Sequence, residues 1–206
     1  FALQRDCAAL LSNQQPIVML KVETRKAFNT EAGFIARNIM AAMGSDVFNL
    51  PFSEDDFLIL EALTDVCGRK DTLYSYCNTL IATVAGLPVG SLTSYNGADY
   101  REKKETTFSI IKDKTGFTLP QMDDETSDGE YYLDSLAVLP SMRGHHVGKI
   151  LILQALEVAE GLGFNKVSLI VMEGENKLKS LYEECGFEED GIRNCFQRIS
   201  DRNEAR

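Results

Sequence analysis

The chain has 206 residues, 44% of them hydrophobic and 25% charged, a balance that supports a folded core of ordinary size. Its 21 basic and 31 acidic residues leave a net charge of −10, which argues against a nucleic-acid partner and fits a solubilising acidic surface or, as a second reading, a cationic substrate. Cys7, Cys67, Cys77, Cys185 and Cys195, with no C-x-x-C among them, read as reduced thiols of an intracellular, cytoplasmic chain; the two histidines are adjacent, which speaks against a metal site, and no apolar run is long enough to span a membrane.

Ile17–Thr24 is rich in β-formers and predicts a strand. From Thr30 to Met43, Ala32, Ile35, Ala36, Ile39, Met40 and Met43 recur at helical spacing and Gly44 follows, which predicts a helix. Ser53 is placed to cap a second helix reaching about Val66, with Asp56 three residues on as partner of the cap. Residues 76–84 and 89–95 flank A-G-L-P and predict a hairpin. Residues 97–116 are highly charged and read as helical. Residues 117–130, with Asp123, Asp124, Glu125, Asp128 and Glu130, read as a loop. Residues 131–139 predict a strand, and His146 to Leu162 a helix with Val147, Ile150, Leu151, Ala155, Val158, Ala159 and Leu162 on one face. Lys166 to Met172 reads as a strand, Asn176 to Cys185 as a helix closed by Gly186, and Phe187 to Ile199 as strand-like. Strands and helices mix without strict alternation, so the expected class is α+β rather than doubly wound.

Residues 131–187 carry most of the chemistry. Y-Y-L-D-S-L-A-V-L-P-S-M-R-G-H-H-V-G-K runs a strand into a glycine-bearing turn that opens a helix, which aims backbone N–H groups and a positive helix end at an anion. Gly144 permits the tight turn, Gly148 lets a ligand approach closely, and Arg143 and Lys149 add positive charge. The spacing G-x-x-x-G-K is one residue short of a P-loop and lacks its Ser or Thr. His145 and His146 read as solvent-facing residues beside a phosphate. Along the strand, a period of two puts Asp134, Leu136 and Val138 on one side. After the next strand, E-N-K-L-K-S-L-Y-E-E-C-G-F sets Asn176 six residues before Tyr182; Asn176 also reads as an N-cap and Tyr182 as a core residue. No histidine is placed to activate Cys185, which reads as a small buried residue.

In this order and spacing the two segments resemble the GCN5-related N-acetyltransferases, the GNAT superfamily, and M-L-K-V-E-T-R-K-A from Met19 is similar to that family's first strand. The resemblance implies one domain over 1–206, with a mixed central sheet, splayed middle strands and flanking helices. Residues 1–18 would then be an appendage or an extra helix, and 99–130 an insertion near the acceptor site. It implies acetyl-CoA as co-substrate, no metal, and direct acetyl transfer to a primary amine of a small molecule or peptide. It implies no nucleic-acid or membrane partner and allows a homodimer. By the same resemblance the pyrophosphate lies on Arg143, Gly144, His145, His146, Val147, Gly148 and Lys149, with His146 where the family has a middle glycine. The pantetheine arm would run along Leu136, Ala137 and Val138 and meet Asn176. The Val138 N–H would be the oxyanion donor, and Tyr182 the acid at the sulfur. Asp134 would hold the amine or take its proton. The glutamate base of some members falls on Val171 here, and neither Glu173 nor Glu175 matches it, so the base stays open. The acidic residues 123–130 are expected to guide a cationic acceptor by long-range attraction. A non-catalytic acyl-CoA-binding sensor or interaction module of the same fold is the alternative.

Overall fold

The computed structural model of the chain describes residues 20–44, 53–117 and 124–191. Five strands form one sheet in the order β1 (Val22–Lys26), β2 (Thr79–Val84), β3 (Leu87–Asn96), β4 (Tyr131–Val138) and β5 (Val167–Ser168). Neighbours through β4 are antiparallel, and β4 and β5 are parallel, so the sheet is mixed. Helices α1 (Ala32–Ala42), α2 (Glu54–Gly68), α3 (Tyr100–Thr115), α4 (Val147–Gly161) and α5 (Asn176–Glu183) flank it, giving the expected α+β class. The residues before 20, Asp123, and the chain from 192 on lie outside the described residues, and with them the start of the first predicted strand and the end of the last; Phe187 to Gly191 is irregular.

Adjacent residues of β2 separate the two cores. Ile81 packs with Ile35, Ile39, Met40 and Leu63 of α1 and α2, whereas Leu80 packs with Leu151, Ile152 and Ala155 of α4. Burying a Leu or Ile of this kind stabilises by roughly 1.5–3 kcal/mol, so the two helical layers hold the sheet from both faces. The ends of two helical stripes were overextended in the sequence: Met43 and Leu162 are exposed, because each lies past the last helical turn that faces the sheet. The α2 cap forms as expected. Ser53 Oγ accepts the Asp56 N–H at 3.0 Å, and Asp56 Oδ2 accepts the Ser53 N–H at 3.2 Å.

The charged stretch after β3 is a 3₁₀ turn followed by α3, which ends on Gly116 at φ +72°. The loop after it returns tightly. The Gly97 N–H donates to the Glu130 carbonyl at 2.8 Å, and a Cβ on Gly97 would lie 2.0 Å from the Ser127 carbonyl oxygen. Only glycine fits there.

Two irregularities in β4 set up the rest. The first is a bulge. Thr93 pairs with Ser135 and Ser94 with Leu133, which leaves Asp134 unpaired. The extra residue reverses the alternation. Leu133, Leu136 and Val138 all pack on the α4 side, although Leu133 is an odd number of residues from the other two. Asp134 instead meets Tyr95, which packs with Tyr132 and Tyr100 on the opposite side. The expectation that Asp134 shares a face with Leu136 and Val138 is therefore corrected: period two fails across a bulge.

The second irregularity is a splay. β4 and β5 pair only at Tyr131↔Val167 and Tyr132↔Ser168. The strand predicted over Lys166 to Met172 is thus cut to two residues. The chain beyond it still alternates, with Leu169 and Val171 packed on the α4 side and Ile170 against the tyrosines. Its residues keep alternate packing although they have no ladder partner. Among the described residues no helix is long and apolar enough to cross a membrane.

Candidate active site

The gap opened by the splay is lined by backbone. Leu139 N–H donates to the Val89 carbonyl at 2.9 Å, so that pair is a hydrogen-bonded step of the β3–β4 ladder. The next step, Gly90↔Val138, is then non-bonded, and so is Leu92↔Leu136. The N–H and C=O of Leu136 and Val138 consequently point away from β3, into the gap. Ala137 points the other way, at Ser91. Arg143 Nε donates to the outward Val138 carbonyl at 3.4 Å.

β4 ends in a 3₁₀ turn, Pro140–Met142, and the chain then passes through Gly144 at φ +80° and His146 at φ +60°, ψ 13°, before α4 begins. His146 thus holds the left-handed conformation that a glycine would take freely, at a strain of about 1–2 kcal/mol. Replacing glycine here changes the side chain and leaves the path of the turn. No side chain caps α4, so its first N–H groups stay available to an anion. Residues 143–146 are exposed, whereas Val147 is buried in the core.

Two residues of the predicted phosphate turn make contacts of their own. Lys149 Nζ lies 3.2 Å from Glu184, just past α5, and so ties two helices together. At Gly148, an added Cβ would point at Leu181 (3.5 Å), Leu136 (3.8 Å) and Val138 (3.9 Å). A side chain at Gly148 would therefore enter the space between β4 and α5.

Tyr182, on α5, is buried in the α4-side core, edge-on to Phe187 at 5.6 Å. Burial pushes its phenol up to about 12, helped by Cys185 beside it. Asn176 is the first helical residue of α5 and not its cap. The cap position is Glu175, and no side chain bonds there, so the capping explanation of Asn176 falls away. Cys185 is half-buried, with its thiol pushed up first by burial. That is the inert environment expected of it.

On the other face, Asp134 Oδ2 accepts the Tyr95 hydroxyl at 2.5 Å and Oδ1 accepts the Ser135 hydroxyl at 2.5 Å. Burial raises the carboxyl from an ordinary 3.8 to about 6; both hydrogen bonds pull it down, and the Glu125 carboxylate pushes it up. Glu125 in turn accepts the Tyr132 hydroxyl at 2.8 Å. Tyr95 and Tyr132 are neighbours across the ladder, their rings 5.7 Å apart. The sequence reading missed Tyr95, Tyr132, Ser135 and Glu125 as a group. Its only signal was a run of tyrosines at the facing ends of two predicted strands, and that needs the register to be useful.

Two carboxylates of the acidic stretch are held in ion pairs. Asp124 pairs with Arg101 at 2.6 Å and Lys104 at 3.5 Å, and the buried Glu130 carboxylate with Lys166 at 3.0 Å. As a long-range guide for cations the loop is therefore weaker than its composition suggests; Asp128 is exposed and Asp123 lies outside the described residues.

A mixed sheet whose central strands part, followed by a glycine-bearing turn at the start of a helix, defines the GNAT class of acetyltransferase folds. The chain matches the Acetyltransferase (GNAT) family over residues 74–187 and belongs to it. A structure described as an acetyltransferase superposes with TM-score 0.68 at 23% identity, over 84% of this chain and 93% of that one. An N-acetyltransferase from Staphylococcus aureus Mu50 superposes with TM-score 0.61 at 22% identity, over 82% and 92%. The aminoglycoside N-acetyltransferase AAC(6')-Iy in complex with CoA superposes with TM-score 0.55 at 16% identity, over 88% and 97%. No curated protein matches the chain in sequence. At these identities the structural likeness speaks for the fold.

Proposed function

We propose that the protein transfers an acetyl group from acetyl-CoA to a primary amine by direct attack across the β4 gap. The observation that carries this reading is the pair of irregularities in one strand. The splay leaves the outward Val138 N–H without a ladder partner, and the bulge sends Asp134 to the face opposite Tyr182. A thioester entering from the α4–α5 side and an amine arriving from the tyrosine side would then meet at the same strand.

The residues present suit acetyl-CoA. The turn from Arg143 to Gly148 offers uncapped N–H groups, and Gly148 places no side chain between β4 and α5. The use of CoA by the aminoglycoside acetyltransferase of the same fold supports this choice. Asn176, exposed at the start of α5, has its amide available to the pantetheine arm.

In the step itself, the amine nitrogen attacks the thioester carbon and the carbonyl electrons move to oxygen, where the Val138 N–H stabilises them by about 3 kcal/mol. The nitrogen becomes acidic as its bond to carbon forms, and Asp134 takes its proton; a carboxyl at about 6 is largely ionised at neutral pH and ready to do so. The C–S bond then breaks. Tyr182 donates to the departing sulfur. Its phenol at about 12 is a weaker acid than a thiol of about 8.5, so a hydrogen bond to the developing thiolate is the larger part of its help. The acceptor arrives as an ammonium and loses one proton to solvent before it attacks; the proton that Asp134 takes afterwards ends on the departing sulfur, so the products are the N-acetyl amine, the free thiol and that one solvent proton. The acceptor's own positive charge is met by Asp134 and Glu125.

The test is a thiol-release assay with a primary alkylamine, a polyamine, an aminoglycoside and a peptide with a free N-terminus. At least one should turn over, and Tyr182→Phe should lower kcat on the order of 10²-fold with acetyl-CoA affinity kept. Tight CoA binding with no thiol release from any amine class would instead favour a non-catalytic acyl-CoA-binding module.

A further inference from the structure

We propose that Tyr95 is a positioning residue that sets the protonation of Asp134, and through it the pH range over which the amine is acetylated. This rests on the reading of Asp134 as the proton acceptor. Asp134 has no cross-strand partner at the bulge, so nothing in the ladder fixes its side chain. Two hydroxyls do so instead: Tyr95 holds Oδ2 and Ser135 holds Oδ1, each at 2.5 Å. Tyr95 is itself immobilised. It is 2% exposed, stacks on Tyr100 at 6.2 Å and packs against Tyr132 at 5.7 Å.

The direction of donation is fixed by the surroundings. Burial, and then the charge of Asp134, push the Tyr95 phenol well above its ordinary value, so it keeps its proton wherever the carboxyl titrates. Tyr95 is then always the donor and Asp134 always the acceptor. Donation favours the carboxylate over the acid. It opposes two influences that favour the acid, burial and the Glu125 carboxylate. The other groups facing Asp134 are the phenols of Tyr74, Tyr100 and Tyr132, all raised chiefly by burial. The Lys104 ammonium lies over the Tyr100 ring at 4.9 Å and 3.5 Å from Asp124. Tyr95 is therefore the donor that holds the carboxylate ionised from the neighbouring strand.

The experiment compares wild type, Tyr95→Phe and Ser135→Ala by side-chain carboxyl NMR of protein carrying labelled aspartate. The Asp134 signal is assigned by its loss in Asp134→Asn. Wild type should titrate near 6. Tyr95→Phe keeps the ring and should titrate about one pH unit higher, the size of a charge-assisted hydrogen bond. Ser135→Ala should move it the same way through the other oxygen, and serves if the Phe variant does not fold. The acidic limb of kcat, measured with whichever amine of the four-class panel turns over fastest, should move by the same amount, with KM for acetyl-CoA unchanged. An Asp134 titration that stays put in a folded Tyr95→Phe variant overturns the proposal and leaves Asp134 as the base untouched. A titration that moves while the rate profile does not overturns both.

Discussion

Asp134→Asn should make the protein more stable at pH 8 while removing most of its activity. The carboxyl titrates near 6 in the folded chain against an ordinary 3.8, mainly because it is buried. A group whose folded value is raised binds its proton more tightly in the native state. Its contribution is thus favourable below the unfolded value of about 4 and is lost as pH rises through 6. Two units correspond to about 3 kcal/mol of destabilisation in the ionised form at neutral pH. Asparagine has no charge to bury and can still accept the Tyr95 hydroxyl, but it gives up the stronger bonds a carboxylate makes, at about 1 kcal/mol. The net gain at pH 8 should be about 1–2 kcal/mol. Urea unfolding of both proteins from pH 4 to pH 8 measures it. The variant's advantage should widen by about 2–3 kcal/mol across that range, most of it between pH 4 and 6. Parallel stability curves would refute the claim that burial strains this carboxylate.

Gly148→Ala should bind acetyl-CoA nearly as well as wild type, since its Cβ meets Leu181 at an ordinary 3.5 Å; Gly148→Glu should abolish binding by driving a longer side chain between β4 and α5, as calorimetry will show. Gly97→Ala should cost more than about 2 kcal/mol in chemical denaturation, because the Cβ has no room against the Ser127 carbonyl and the loop that presents Glu125 must lift. His146→Gly should leave thermal stability equal or slightly higher, since the relieved left-handed strain of about 1–2 kcal/mol outweighs about 0.4–1 kcal/mol of added unfolded-chain entropy. His146→Val should lower it. KM for the amine should change little with salt, because Asp124 and Glu130 are already paired; a steep rise in KM with salt would restore the loop as an electrostatic guide.

Where the chemistry is local, the sequence revealed it. The Ser53 cap, the α1 and α4 stripes and the glycine turn before α4 each depend on residues within a few positions of one another, and each forms nearly where its pattern places it. What depends on a second strand was not legible. Period two is a property of an unbroken strand, and nothing in Y-Y-L-D-S-L-A-V announces that Asp134 will be left over when Thr93 and Ser94 find their partners. The length of β5 was overestimated for the same reason, since Leu169, Ile170 and Val171 have strand character but no ladder neighbour. The ion-pair partners of Lys149, Asp124 and Glu130, which are Glu184, Arg101 and Lys166, come from distant elements and could not be read from the sequence.

The departures from local rules gather in one stretch of chain. Between residues 134 and 148 lie an unpaired bulge residue with a raised carboxyl, a strand edge with no ladder partner, and a histidine in a left-handed conformation. Each is unfavourable taken singly. They persist because the residues around them are held by ordinary means: Leu133 and Leu92 are buried within the sheet, Leu151 and Ile152 clamp it from α4, and Glu130 binds Lys166 and Ser168 where β4 and β5 still pair. If the strain served nothing, a regular β4 paired along its whole length with β5 would be the more stable arrangement. That arrangement would close the gap, turn the Val138 N–H into a ladder bond and return Asp134 to the face of Leu136. The irregular strand keeps the Asp134 carboxylate on one side of the sheet and the buried Tyr182 phenol on the other, the arrangement on which the proposed direct transfer rests.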